Sequence, residues 1–121
     1  MRKILFFLLL SLSVYCYDYY GAIAINKNNG NTGYSYDYES QEEAESRALK
    51  ECGKNCEVAM WFKNTCGAVA YSAKAKDYGW AWSEDTGWAE SNALKECGKG
   101  DCEIVSSVCT TIEYYYYYQQ Y

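Results

Sequence analysis

The chain reads as an α+β protein built from two tandem strand-strand-helix-strand repeats that share an antiparallel sheet and are stabilised by disulfides. Three observations predict this. First, the stretch AESRALKECGK, Ala44 to Lys54, returns as AESNALKECGK at Ala89 to Lys99, with one difference in eleven residues. Second, the flanks agree: Gly21-Ala22-Ile23-Ala24 answers Gly67-Ala68-Val69-Ala70, Gly33-Tyr34-Ser35-Tyr36 answers Gly79-Trp80-Ala81-Trp82, and Cys56-Glu57-Val58 answers Cys102-Glu103-Ile104. Third, six cysteines fall after residue 16, an even set distributed over both copies. A repeat of this length means one building block used twice, so whatever recurs in both copies is first a matter of construction.

Unit one, about residues 19–65, opens with Gly21 to Ile25, a run of β-branched and small residues. Asn26 to Asn31 then supplies residues that tolerate turns, and Gly33 to Tyr38 returns, so a β-hairpin is expected. Ser40 precedes Glu43 by three, the spacing at which hydroxyl and carboxylate satisfy free backbone donors at a helix start. The helix should run from Gln41 to about Cys52. Its apolar stripe is Ala44, Ala48, Leu49 and Cys52, its wet face Glu42, Glu45, Arg47, Lys50 and Glu51, and Gly53 ends it. Glu57 to Phe62 is a further strand, and Lys63-Asn64-Thr65 turns into unit two, about residues 66–109. There the plan returns as Gly67 to Tyr71, Gly79 to Ser83, a helix from about Thr86 to Cys97 capped by Asp85, and Glu103 to Val108. Neither unit alone has the apolar surface to offset its ordering entropy.

Residues 1–16 read as a secretory signal peptide: basic Arg2 and Lys3, then the uncharged run Ile4 to Val14, too short to span a bilayer comfortably. Cleavage after Cys16 leaves an even cysteine count and is preferred. Cleavage after Ser13 would keep Cys16 free, and a lipidated Cys16 is opposed by bulky Tyr15 before it. The remaining 17–113 is the size of one domain, followed by the tyrosine-rich tail 114–121. No later segment is fit for stable membrane insertion.

Charge narrows the partners. Eleven basic against 16 acidic side chains give −5, and loss of Arg2 and Lys3 takes the product to −7. A nucleic-acid binder needs a basic face to displace counterions, so no nucleic acid is expected, and anionic lipid is disfavoured for the same reason.

In an exported chain, Cys52, Cys56, Cys66, Cys97, Cys102 and Cys109 are expected to form a disulfide framework. Six cysteines allow fifteen connectivities, which spacing does not rank firmly. The internal symmetry favours Cys52 with Cys56, Cys97 with Cys102, and Cys66 with Cys109 tying the units together. Three bonds at about 2 to 4 kcal/mol each would rival the roughly 5 to 15 kcal/mol net stability of a domain.

The segments Tyr20 to Ala24, Ala48 to Gly53, Cys56-Glu57-Val58, Trp61 to Ala70 and Gly79 to Trp82, in that order, carry a resemblance. The chain resembles the exported, cysteine-containing family labelled domain of unknown function 4189, common in bacteria, from about Tyr19 to Cys109. The resemblance implies secretion and a small globular domain, and it carries no catalytic residues. One departure stands out: Ser106-Ser107-Val108-Cys109 occupies the place of Met60-Trp61-Phe62-Lys63, so unit two should present a different surface.

Candidate chemistry is sparse. With no histidine, neither Ser-His nor Cys-His pairs can exist. A carboxylate pair for glycan hydrolysis could come from Glu45 with Glu90 or Glu51 with Glu96, but their outer helix faces favour plain solvation. Thiolate zinc ligation is disfavoured by export and spacing, and calcium at Asn26 to Thr32 by the lack of carboxylates there. The surface candidate is the aromatic series Tyr34, Tyr36 and Tyr38, matched by Trp80 and Trp82. Period-two spacing puts each series on one strand face. The polar residues opposite, Ser35, Asp37 and Ser83, favour burial of the aromatics under the helices, and stacking on a sugar or peptide is the alternative. The tail, Tyr114 to Tyr118 and then Gln119-Gln120-Tyr121, reads either as a last strand beginning near Thr110 or as a segment for self-association.

The expectation is therefore a secreted binding or interaction module, extracellular or periplasmic, with a protein or glycan partner, no cofactor, no metal and no enzymatic activity. The alternative is a small secreted hydrolase acting on glycans through paired carboxylates.

Overall fold

The computed structural model describes residues 17–112, so the expected leader with Cys16 and the tail 114–121 lie outside the described residues. Eight elements follow in order: β1 (Tyr20–Ile25), β2 (Thr32–Tyr38), α1 (Gln41–Cys52), β3 (Glu57–Lys63), β4 (Cys66–Ser72), β5 (Asp77–Ser83), α2 (Thr86–Cys97) and β6 (Glu103–Cys109). The α+β class and the doubled strand-strand-helix-strand plan both hold.

Local chemistry explains the helix ends. The Ser40 hydroxyl accepts from the Glu43 amide at 3.2 Å, and the Asp85 carboxylate accepts from the Trp88 amide at 3.0 Å. Gly53 and Gly98 stop the helices at φ 96° and 67°, each donating its N–H to the Leu49 or Leu94 carbonyl at 3.0 Å.

The sheets depart from expectation. The strands form two three-stranded antiparallel sheets, β2-β1-β3 and β5-β4-β6, rather than one shared sheet. Each central strand is already paired on both edges within its own unit, so its backbone has nothing left to offer the other unit. What the units share is a core. Ala22 and Ala24 of β1 pack with Ala44 and Ala48 of α1, and Ala68 and Ala70 of β4 pack with Ala89 and Ala93 of α2. The alternate residues Ile23 and Ile25 face Val69 and Tyr71 across a common cluster with Met60 and Phe62. Both central strands are thus buried on both faces, and the layers stack helix, sheet, sheet, helix.

Small residues let the helices come close. A Cβ at Gly33 would sit 2.3 Å from the Ala48 carbonyl oxygen, and one at Gly79 would sit 2.1 Å from the Cys97 amide nitrogen. The helix backbone rests directly on the strand at both places.

The repeats differ by a displaced residue. Between Tyr20 and Ala22 the register of β1 on β2 shifts, with Asp37 at φ 60°, whereas β4 and β5 pair without a shift. Unit one spends its extra residue on this bulge. Unit two places one more residue between Cys97 and Cys102 than lies between Cys52 and Cys56.

Disulfides join Cys52 to Cys56, Cys97 to Cys102 and Cys66 to Cys109. The first two clamp a helix end to the next strand. The third does not tie the units, as the sequence suggested, because Cys66 and Cys109 face each other on β4 and β6 of the second sheet. The units are joined instead by the common core and by a few hydrogen bonds. Tyr71 Oη donates to the Lys27 carbonyl at 2.6 Å, Tyr78 Oη to Glu57 Oε2 at 3.0 Å, and Thr32 Oγ1 to the Val105 carbonyl at 3.4 Å.

Candidate binding site

The aromatic strand residues do not lie under the helices. That side of β2 and β5 is taken by Gly33, Ser35, Gly79 and Ala81, with the Ser35 hydroxyl donating to the Ala44 carbonyl at 2.6 Å. Rings would hold the helices off, so the strands put their aromatics on the opposite face. Tyr34 and Tyr36 are 52% and 51% exposed, Trp80 and Trp82 46% and 62%, and Trp61 44%. The favoured expectation of buried aromatics is corrected, since backbone proximity, not side-chain polarity, selects the helix-facing residues.

Tyr38 leaves its row. Because the Asp37 bulge inserts one residue, Tyr38 pairs with Tyr20 and packs beside the alanines under α1. Tyr34 and Tyr36 remain a pair, with stacked rings whose centroids are 6.4 Å apart.

On the other side of the molecule an open cleft of about 350 Å³ is lined by Trp61, Phe62, Lys63, Thr65, Trp80 and Trp82. It joins β3, an end strand of the first sheet, to β5, an end strand of the second. Phe62 is buried and lies against both Gly21 and Gly67, where a Cβ would come within 2.5 and 2.6 Å of its ring. That anchors the cleft's inner wall in the core. Trp61 packs near Tyr20, with centroids 6.2 Å apart, and Lys63 Nζ lies 6.0 Å from the Tyr20 ring centre and 3.9 Å from Asp18. The lining holds one cation and no carboxylate, in a chain of net negative charge.

Trp61 was not among the sequence candidates. Its signal was the departure between repeats, because the equivalent position in unit two is Ser107. Only the fold brings it beside Trp80 and Trp82.

The other candidates are not brought together. Glu45 and Glu51 lie on α1, Glu90 and Glu96 on α2, and the helices occupy opposite outer layers without contact among the described residues. Glu45 accepts from Gln41 Nε2 at 2.8 Å, and Glu51 pairs with Arg47 at 2.7 Å. In the turn after β1 the amides serve the backbone: Asn26 Oδ1 accepts from Asn28 N and Asn29 Oδ1 from Asn31 N, each at 2.9 Å. No group of three or more acidic or sulfur ligands suited to a metal occurs among the described residues. No helix described is long and apolar enough to cross a membrane.

The Tyr78 phenol is pushed up to about 12 by burial first and then by its hydrogen bond to Glu57. Asp101 is held below the usual carboxylate range by hydrogen bonds from the Ser72 hydroxyl and the Lys74 amide. Tyr78 joins β5 to β3 and Asp101 ties the turn before β6 to the end of β4, and neither lines the cleft.

Comparison with known proteins agrees with this architecture. The NMR structure of Rv1813c from Mycobacterium tuberculosis superposes with a TM-score of 0.57 at 27% identity, covering 81% of this chain and 80% of that chain. Among curated proteins no relative matches. The family model described as domain of unknown function DUF4189 matches residues 20–109, the span of all eight elements, and the chain belongs to that family.

Proposed function

We propose that the chain is a secreted, non-enzymatic binding module of the extracellular space or cell envelope, and that the cleft between β3 and β5 receives sugar rings of a glycan. The observation that carries this reading is the convergence of three half-exposed indoles, Trp61, Trp80 and Trp82, on one cleft. Indole faces stack on the apolar faces of pyranose rings, while the half-exposed Lys63 ammonium offers donors to hydroxyls. The small concavity suits a ring-sized ligand better than a protein partner, whose interface would cover about 1,200 Å² or more. The three disulfides and the leader-like residues 1–16 support export. The catalytic alternative has no support in the placement of the acids, since its paired carboxylates sit on opposite layers.

The test is titration of the oxidised protein with neutral, amino-sugar and uronate oligosaccharides, followed by tryptophan fluorescence. One class should shift the emission saturably. Trp80→Ala and Trp82→Ala should each weaken binding about tenfold, and Tyr34→Ala should leave it unchanged. Emission indifferent to every class, or an unaltered affinity in Trp82→Ala, would remove the glycan reading.

A further inference from the structure

The second aromatic strand, β2, has a different setting from β5. It ends its sheet, so one edge of its backbone is free among the described residues. A groove of about 590 Å³ runs along its whole length, walled by α1 at Arg47 and Glu51. A free, flat, aromatic edge is a template for another strand.

The chain's own path leads there. After β6, Thr110 stays on the β4 side, donating to the Thr65 carbonyl at 2.9 Å. The next residue crosses the layers: Thr111 N donates to Asp37 Oδ1 at 2.7 Å, and its hydroxyl donates to Oδ2 of the same carboxylate. Asp37 is the bulge residue at the far end of β2. The described chain therefore stops one residue after a two-point attachment to the strand whose edge is open. In unit two the chain leaving β3 offers β5 no free segment, because it continues through Asn64 and Thr65 into β4.

We propose that the segment Glu113–Tyr121 docks on its own molecule along the free edge of β2, antiparallel, as a fourth strand of the first sheet. Entering beside Asp37, it runs toward Thr32. Nine residues reach about 30 Å when extended, more than the roughly 23 Å of a seven-residue strand. Tyr114 to Tyr118 is uncharged, proline-free and rich in β-forming residues, which suits main-chain pairing. Alternate tyrosines of the segment then lie beside Tyr34 and Tyr36 on one face. The consequence is a division between the repeats: the tyrosine row is covered by the chain itself, and the tryptophan cleft stays open.

Hydrogen exchange of the full oxidised chain, against the same chain carrying Tyr115→Pro and Tyr117→Pro, tests this. Prolines remove the donors that strand pairing needs without touching any of the eight elements. The outward amides of β2 should exchange about tenfold more slowly in the parent, equally at low and high protein concentration, with a monomer's mass. Equal exchange in both chains overturns the proposal. So does protection that grows with concentration alongside a dimer's mass, which would give the edge to a second copy. In the unsubstituted chain, brief photo-oxidation should link Tyr34 or Tyr36 to the tail within one molecule, and tail links only to other tyrosines would equally overturn it.

Discussion

At the residue scale, the fold turns on which side chains are absent as much as on which are present. Gly33 and Gly79 let each helix lie on its strand, and that choice sends Tyr34, Tyr36, Trp80 and Trp82 outward. Tyr78 shows the opposite case, a side chain whose polar end joins the two units through Glu57. Its folded pKa of about 12, against 10.0 for a free phenol, means the folded state holds the proton more tightly. The contribution is whole below pH 10 and is lost as the pH rises toward 12. Denaturation midpoints followed from about pH 9 to about pH 12 should fall more steeply for the parent than for Tyr78→Phe. Equal slopes would mean that the phenol does not couple alkali to unfolding.

At the element scale, most of the chain was legible. The periodic stripe Ala44, Ala48, Leu49, Cys52 and the cap signals placed α1 at its observed ends, and the repeat carried the same reading to α2. The caps are local, so their contribution is local. Ser40→Ala and Asp85→Ala should each lower stability by about 1 kcal/mol, with Asp85→Asn restoring most of it, read as a shift in urea midpoint at constant slope. A neutral Asp85→Ala would show the α2 start to be held by tertiary packing alone. The Asp37 bulge was less legible, because a one-residue offset between repeats can be absorbed at any turn. Its effect is nonetheless large, since it moves Tyr38 from the exposed row to the helix side.

At the scale of the whole molecule, alanine-rich layers under the helices bury little apolar area per residue, and the core between the sheets is one modest cluster. Covalent bonds therefore weigh heavily. By loop length the Cys66–Cys109 bond, spanning 43 residues, should contribute roughly 4 kcal/mol, against roughly 2 kcal/mol for Cys52–Cys56. Thermal unfolding of Cys66→Ala/Cys109→Ala should accordingly show the larger loss of the two pair deletions. A reversed order would mean that clamping α1 to β3 matters more than closing the second sheet.

The sequence by itself determined the repeat, the eight elements and the caps, and its symmetry pointed to Cys52–Cys56 and Cys97–Cys102, because each depends on residues near one another in the chain. It also held the sign of an asymmetric surface, in Trp61 against Ser107. The tertiary structure decided that the units share a core and not a sheet, that Cys66–Cys109 lies within one unit, and that the aromatics face outward. Those outcomes depend on which backbone edges are already paired and how closely helix and strand approach, distances that arise only once remote segments are packed together.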